Sequence, residues 1–217
     1  MRRNEVSPIN DPLREKIIIP AHYWRDLKAR DLKSLCSQLQ AVEFPPNGFV
    51  LSILGREILV DRTGMCLKSR RSGSWLKIDY PLLELLVLVY CLKGGPDSTT
   101  NEMIGVQELK DSHFFQGPHE FRLAPLLARY GSDPAGFEDA AEFLGGEPLN
   151  LADMAYRIPA LPKVPLYYLF WKGDEEFEPR ISVLFDRSVE KHLSADAIWG
   201  LVNMVSDAFL KAPIAPF

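Results

Sequence analysis

Apolar residues recur at helical spacing between Tyr23 and Leu39, through Trp24, Leu27, Leu32, Leu35 and Leu39, and predict one amphipathic helix there. Pro45-Pro46-Asn47-Gly48 ends it with turn chemistry. The pattern then shortens. Phe49–Leu54 and Glu57–Val60 flank Gly55-Arg56, a glycine-first pair suited to a two-residue II′ turn. Asp61-Arg62-Thr63-Gly64 makes a second turn, and Met65–Lys68 and Trp75–Ile78 enclose a basic loop, Ser69–Gly73. Short runs with tight turns in this succession predict an antiparallel meander.

The next segment is apolar on nearly every side. It opens at Pro81, with Asp79 as an acceptor for its first amides, and runs to about Lys93 before Gly94-Gly95 stops it. An apolar surface all round marks a helix buried on most sides. Beyond it the pattern predicts a strand at Ile104–Leu109, a helix at Glu120–Tyr130, and a helix from Asp133-Pro134 to Gly145-Gly146. Strands follow at Ala152–Ile158, Leu166–Trp171 and Ile181–Phe185. Leu166–Trp171 shows no alternation, so it is expected to be covered on both faces. A final helix behind Ser194 carries Ala197, Ile198, Leu201, Val202, Val205 and Phe209 on one stripe. The fold class is α+β: an antiparallel β-meander plus a C-terminal β-hairpin sheet, packed by several helices. Residues 1–20 read as an N-terminal extension with an apolar patch at Ile17-Ile18-Ile19, and 21–217 as a single domain with 21–79 as its N-terminal lobe.

Charge and cysteine usage narrow the partners. A net charge of -4 does not suit a general polyanion binder, so no nucleic-acid partner is expected. Leu82–Leu92, interrupted by Glu84, falls well short of the roughly 20 residues a membrane helix needs, so no membrane partner is expected either. Met1-Arg2-Arg3 leads into Asn4-Glu5-Val6-Ser7-Pro8 instead of an apolar signal region. The three cysteines, Cys36, Cys66 and Cys91, each sit alone among apolar neighbours and read as buried thiols in a reducing cytoplasm. The apolar tail Pro213–Phe217 is expected to be exposed.

Candidate chemistry is densest in Pro165–Asp186, where an apolar strand breaks at Gly173 and meets Asp174, Glu175, Glu176 and Glu178. Extended-chain alternation places Lys172, Asp174, Glu176, Glu178 and Arg180 on one face. Asp174, Glu176 and Glu178 are then candidate ligands for Mg²⁺ or Ca²⁺, with Asp186 joining, or the site of a general acid. The competing reading is a solvated hairpin tip pairing with Lys172 and Arg180, each exposed pair contributing about 0–1 kcal/mol. Charge runs usually face water, which favours the tip. Asp186 ends a strand, a common place for a catalytic carboxylate, but local capping is the more frequent role. His113, Phe114, Phe115 and His119 form an aromatic loop that could stack on a planar ligand. The plainer reading anchors both phenylalanines in the core and puts His119 in the first turn of a helix. Trp171, with Tyr167, Tyr168 and Phe170, lines either a pocket or, more commonly, the core. Arg70-Arg71 near Trp75 is too small a basic patch for nucleic acid. No phosphate-loop, dinucleotide or nucleophile-elbow motif occurs, and Gly94-Gly95 and Gly145-Gly146 follow helices as caps.

One resemblance covers most of the chain from Trp24 onward. Ile158-Pro159, Leu161-Pro162-Lys163-Val164-Pro165-Leu166, Trp171–Phe177, Leu184-Phe185-Asp186, the closing helix and Gly117-Pro118-His119 together resemble domain-of-unknown-function family 3786, cytoplasmic proteins of bacteria and archaea. Some members carry an iron–sulfur domain alongside, in organisms with anaerobic metabolism. The resemblance therefore implies a redox or iron–sulfur protein as partner, although this chain lacks the cysteines for such a domain itself. It brings no reaction, cofactor or catalytic residue. Two functions fit: a non-enzymatic ligand-binding or accessory module linked to anaerobic redox or cofactor metabolism, and a carboxylate-dependent enzyme, with or without a divalent metal, using Asp174–Glu178. The first is favoured because no catalytic constellation stands out. Candidate ligand-binding residues are Asp174, Glu175, Glu176, Asp186, His119, Phe115 and Trp171.

Overall fold

The helical stripe that starts at Trp24 is cut in two. The computed structural model describes residues 17–214 and 216–217. In it α1 (Ala21–Ala29) and α2 (Leu32–Leu39) replace the single expected helix. Asp31 causes the break, because its carboxylate accepts the Ser34 N–H at 2.8 Å and starts a new helix. The carbonyls freed at the end of α1 have a buried partner. Arg62, only 3 % exposed, donates through Nη2 to Lys28 O at 2.6 Å and Arg30 O at 2.8 Å. Residues 1–16 of the expected extension lie outside the described residues. Ile17 and Ile19 pack against the core.

The meander forms with one strand more than the pattern showed. β1 (Val42–Phe44), β2 (Gly48–Ile53), β3 (Arg56–Asp61), β4 (Cys66–Arg71) and β5 (Ser74–Lys77) lie in sequence order, all antiparallel. Arg70 and Arg71 belong to β4, so the basic loop contracts to a Ser72-Gly73 turn. Its β2–β3 hairpin also differs from expectation. Ile53 pairs with Arg56, so the turn residues are Leu54-Gly55, with φ of 50° and 68°, a type I′ turn instead of II′. Leucine is unusual at positive φ. The tertiary structure holds it there, since Leu54 is buried and donates its N–H to Pro159 O at 2.8 Å in the second sheet. Gly55 cannot be replaced at this corner, because a Cβ would stand 3.3 Å from Gly145 Cα and φ is positive.

α3 (Pro81–Lys93) follows, buried along most of its length as its composition predicts. Asp79 does not cap it: Tyr80 holds the cap position and no side chain bonds the first amides. The expected strand at Ile104–Leu109 shrinks to β6 (Met103–Ile104), because Val106–Glu108 turns into a 3₁₀ segment. Two further 3₁₀ turns, Ser112–Phe115 and Gly117–His119, delay the next helix, so α4 is Ala124–Tyr130. α5 (Pro134–Phe143) begins as expected, with Asp133 accepting the Gly136 N–H at 3.0 Å.

β7 (Glu147–Leu149), β8 (Met154–Leu161), β9 (Val164–Trp171) and β10 (Arg180–Asp186) complete a second antiparallel sheet in the order β6-β10-β9-β8-β7. β9 is buried on both faces through Phe170. Leu166, Tyr168 and Phe170 enter the main core, while Tyr167 and Leu169 join Ala155 in a satellite cluster on the other side. The main core lies between this sheet and the helices, including α6 (Val189–His192) and α7 (Ala195–Lys211). Phe137 stacks between Phe170 and Phe209, with centroids 5.4 and 5.3 Å away. Each such aromatic stabilises the fold by roughly 1.5–3 kcal/mol relative to exposure. The tail is not the exposed strip its composition suggests. Ile214 faces solvent, but Phe217 is only 8 % exposed and belongs to the core. The architecture is α+β, two antiparallel sheets packed by helices.

Candidate ligand-binding cleft

The acidic connection stands in solvent. Residues 172 to 178 are all exposed and carry no strand, so the alternation that would align Asp174, Glu176 and Glu178 on one face does not apply. Asp174 instead accepts the N–H groups of Glu176 and Phe177, both at 2.8 Å, and closes a turn on itself. Those two bonds hold its carboxyl below the usual range. Among the described residues no group of three His, Cys, Asp or Glu side chains gathers to hold a metal ion. Phe177, 69 % exposed, points away from the core beside them.

Asp186 behaves differently. It is 1 % exposed and accepts five hydrogen bonds. Thr100 donates its N–H at 3.0 Å and its hydroxyl at 2.9 Å, and Asn101 N donates at 2.7 Å. Ser188 donates N–H at 2.9 Å and hydroxyl at 2.6 Å. Burial by itself would raise the carboxyl; the bonds from Ser188 and Thr100 outweigh it and hold the group below the usual carboxylate range. With four donors on Oδ1 and one on Oδ2, Asp186 staples the polar loop after α3 to the turn after β10. Trp171 sits with the satellite cluster, half-buried, under the Arg180 guanidinium at 4.4 Å from its ring centroid.

Of the candidate ligand-binding residues, His119 borders a cleft. A cleft of about 510 Å³ opens between α3, α1 and the start of α7. Its floor is Leu82, Leu85, Leu86 and Val89, the i, i+3, i+4, i+7 stripe of α3. On one side Trp199 and Gly200 of α7 border it, and on the other Tyr23 of α1. Gly200 adds width, since a Cβ there would already touch Leu82 and Leu86 at 3.4 Å. The aromatic loop closes the top. His119 stacks on Phe114 at 4.3 Å and meets Trp199 edge-on at 5.7 Å.

Several contacts hold this wall in place. Trp199 Nε1 donates to Glu120 O at 3.2 Å, and Arg122 N donates to the buried Asn203 Oδ1 at 3.0 Å, both tying the loop to α7. Phe115 is buried behind the cleft instead of lining it, 5.1 Å from Phe121, which reaches Phe185 of β10 at 5.7 Å. The half-buried Phe114 takes the lining position. Trp24 fixes α1 against the floor by donating its Nε1 to Glu84 at 2.8 Å. Among the described lining residues the ionisable ones are Tyr23, His119 and Asp196; no Lys or Arg is among them.

A second polar group lies beyond the other end of α3. His192 is fully buried and neither ring nitrogen has a partner among the described residues; Tyr90 lies 6.3 Å away, ring to ring. Lys163, 3 % exposed, donates to Gly95 O at 3.3 Å and Pro96 O at 3.1 Å. Burial lowers the pKa of both His192 and Lys163, and the Lys163 charge adds to the His192 shift. No periodic pattern along the chain marks this cluster. For the cleft two cues existed: the excess apolar stripe of α3, and Trp199 standing off the core stripe of α7. The three cysteines are buried free thiols, and burial pushes Cys36 up to about 11. Thiols so raised are poor nucleophiles at neutral pH.

These features define an α+β protein with an aromatic-walled cleft over a central helix. The chain belongs to the family described as Domain of unknown function (DUF3786), whose profile matches residues 31–208. No curated protein and no solved structure matches the chain. No helix among the described residues is long and apolar enough to cross a membrane.

Proposed function

We propose that this chain is a cytoplasmic, non-enzymatic module that binds a small, mainly apolar ligand in the cleft roofed by Phe114 and His119. The observation that carries this reading is the cleft itself: about 510 Å³, with aliphatic floor, aromatic walls and few polar groups. Cavities of roughly 300–1,000 Å³ with such linings are the usual form of small-molecule sites. Buried, unpaired thiols suit the reducing compartment that this reading assigns. An accessory role beside redox or iron–sulfur proteins belongs to the same proposal and rests on the family resemblance. No comparable observation favours an enzyme built on Asp174, Glu175, Glu176 and Glu178, whose side chains are exposed.

A neutral solvatochromic dye such as prodan tests the cleft. Saturable binding with blue-shifted emission is expected, weakened at least about ten-fold by Leu85→Trp, which fills the floor from a half-buried position. Non-saturable binding, or binding indifferent to Leu85→Trp and to Val89→Trp, would remove the reading.

A further inference from the structure

We infer that the ligand of this cleft is a monovalent organic cation, an amine or protonated heteroaromatic on an apolar body. The inference rests on the cleft reading above and adds the ligand's charge. Three observations carry it. First, the sole carboxylate among the described lining residues is Asp196, and no Lys or Arg accompanies it. Second, Asp196 is exposed at the rim and makes no hydrogen bond or ion pair within the described chain, so its charge is available to a ligand. Third, the walls present the rings of Tyr23, Phe114, His119 and Trp199. Aromatic faces attract cations through the ring quadrupole and give anions no such gain.

The N-terminus of α7 borders the cleft, and helix N-termini draw anions. Here Asp196, in the first turn, already places a negative charge at that end. A carboxylate or phosphate entering the cleft would meet that charge without a counter-cation. An amine would meet it favourably and keep its apolar body over the stripe of α3.

Three nearly isosteric probes separate the readings by isothermal titration calorimetry: 1-naphthylmethylamine, 1-naphthylmethanol and 1-naphthoate. The amine is expected to bind about five- to ten-fold more tightly than the alcohol, as a rim carboxylate and an aromatic wall together allow. Naphthoate should bind weakest. Asp196→Asn should bring amine and alcohol to within about two-fold, and raising salt to about 0.5 M should narrow the wild-type gap in the same direction. Naphthoate binding as tightly as the amine, or a gap that survives Asp196→Asn, overturns the inference while the cleft stands. Failure of all three probes overturns the cleft reading and this inference with it.

Discussion

Asp174 and Asp186 bracket the same strand, and both use their carboxylates to accept backbone N–H groups, yet they have opposite surroundings. Asp174 sits in an exposed turn with two bonds from its own loop. Asp186 is 1 % exposed and joins three segments: the loop after α3, β10, and the turn into α6. Both are held below the ordinary carboxyl value. The difference teaches that the density of charge along a sequence marks where water is, and that a single carboxylate closing an apolar strand marks where structure depends on charge. An exposed turn can be remade by solvent. A buried acceptor with five donors cannot, because the Ser188 N–H and hydroxyl left behind lose their partner away from water.

The largest effect that would sharpen this contrast is Asp186→Ala. It strands the buried N–H and hydroxyl of Ser188 and releases the loop at Thr100 and Asn101, and about 3 kcal/mol of stability should be lost in urea unfolding. For a chain of this size that corresponds to roughly 10 °C in Tm. A loss under about 1 kcal/mol would break the comparison. Its pH dependence has a defined sign. With the folded carboxyl depressed, the contribution is present above the ordinary carboxyl value near 4 and disappears as pH falls through the lower folded value.

His192 gives a second, smaller effect at milder pH. Its folded pKa is lowered, so the unfolded chain takes up a proton first as pH drops below about 6.5. Stability should therefore decline from that point down to the depressed folded value, and be unaffected above it. His192 faces Tyr90 of α3, Lys163 of the β8–β9 turn, Asp97, Asp186 and Lys191. His192→Leu should flatten this limb between pH 7 and 5 with little loss at pH 7, because neither ring nitrogen has a partner to lose among the described residues. An unchanged pH profile in His192→Leu would assign the acid sensitivity elsewhere. Smallest of all is Asp174→Ala, whose melting temperature should stay close to wild type. A drop rivalling Asp186→Ala would mean that the acidic turn supports the fold after all.

Local signals carried much of the architecture. The strand β9 was legible because its apolar run leaves no polar face, and the meander because turn residues punctuate it. The start of α5 was legible in Asp133-Pro134. Errors arose where a local signal met a distant partner. Asp31 reads as a residue on the polar side of one helix until its cap and the buried Arg62 divide that helix. Leu54 occupies a left-handed turn that no propensity favours, since Pro159 and Gly145 lie across from it.

The cleft was half legible. His119 and its aromatic loop stood out, but Phe115 and Phe114 could not be sorted into core and lining by sequence. Leu82, Leu85, Leu86 and Val89 looked like any other part of an all-apolar helix. Asp196 gave no signal at all.

By itself the sequence determined most of the helices and strands, the α+β class, and the family, because periodicity and turn chemistry act within a few residues. Which apolar stripe of α3 meets the core and which floors a cleft was decided by the tertiary structure alone. So was the fate of each carboxylate. Burial and charge complementarity belong to pairs of surfaces, and the partner surface of α3 lies more than a hundred residues along the chain, at the start of α7.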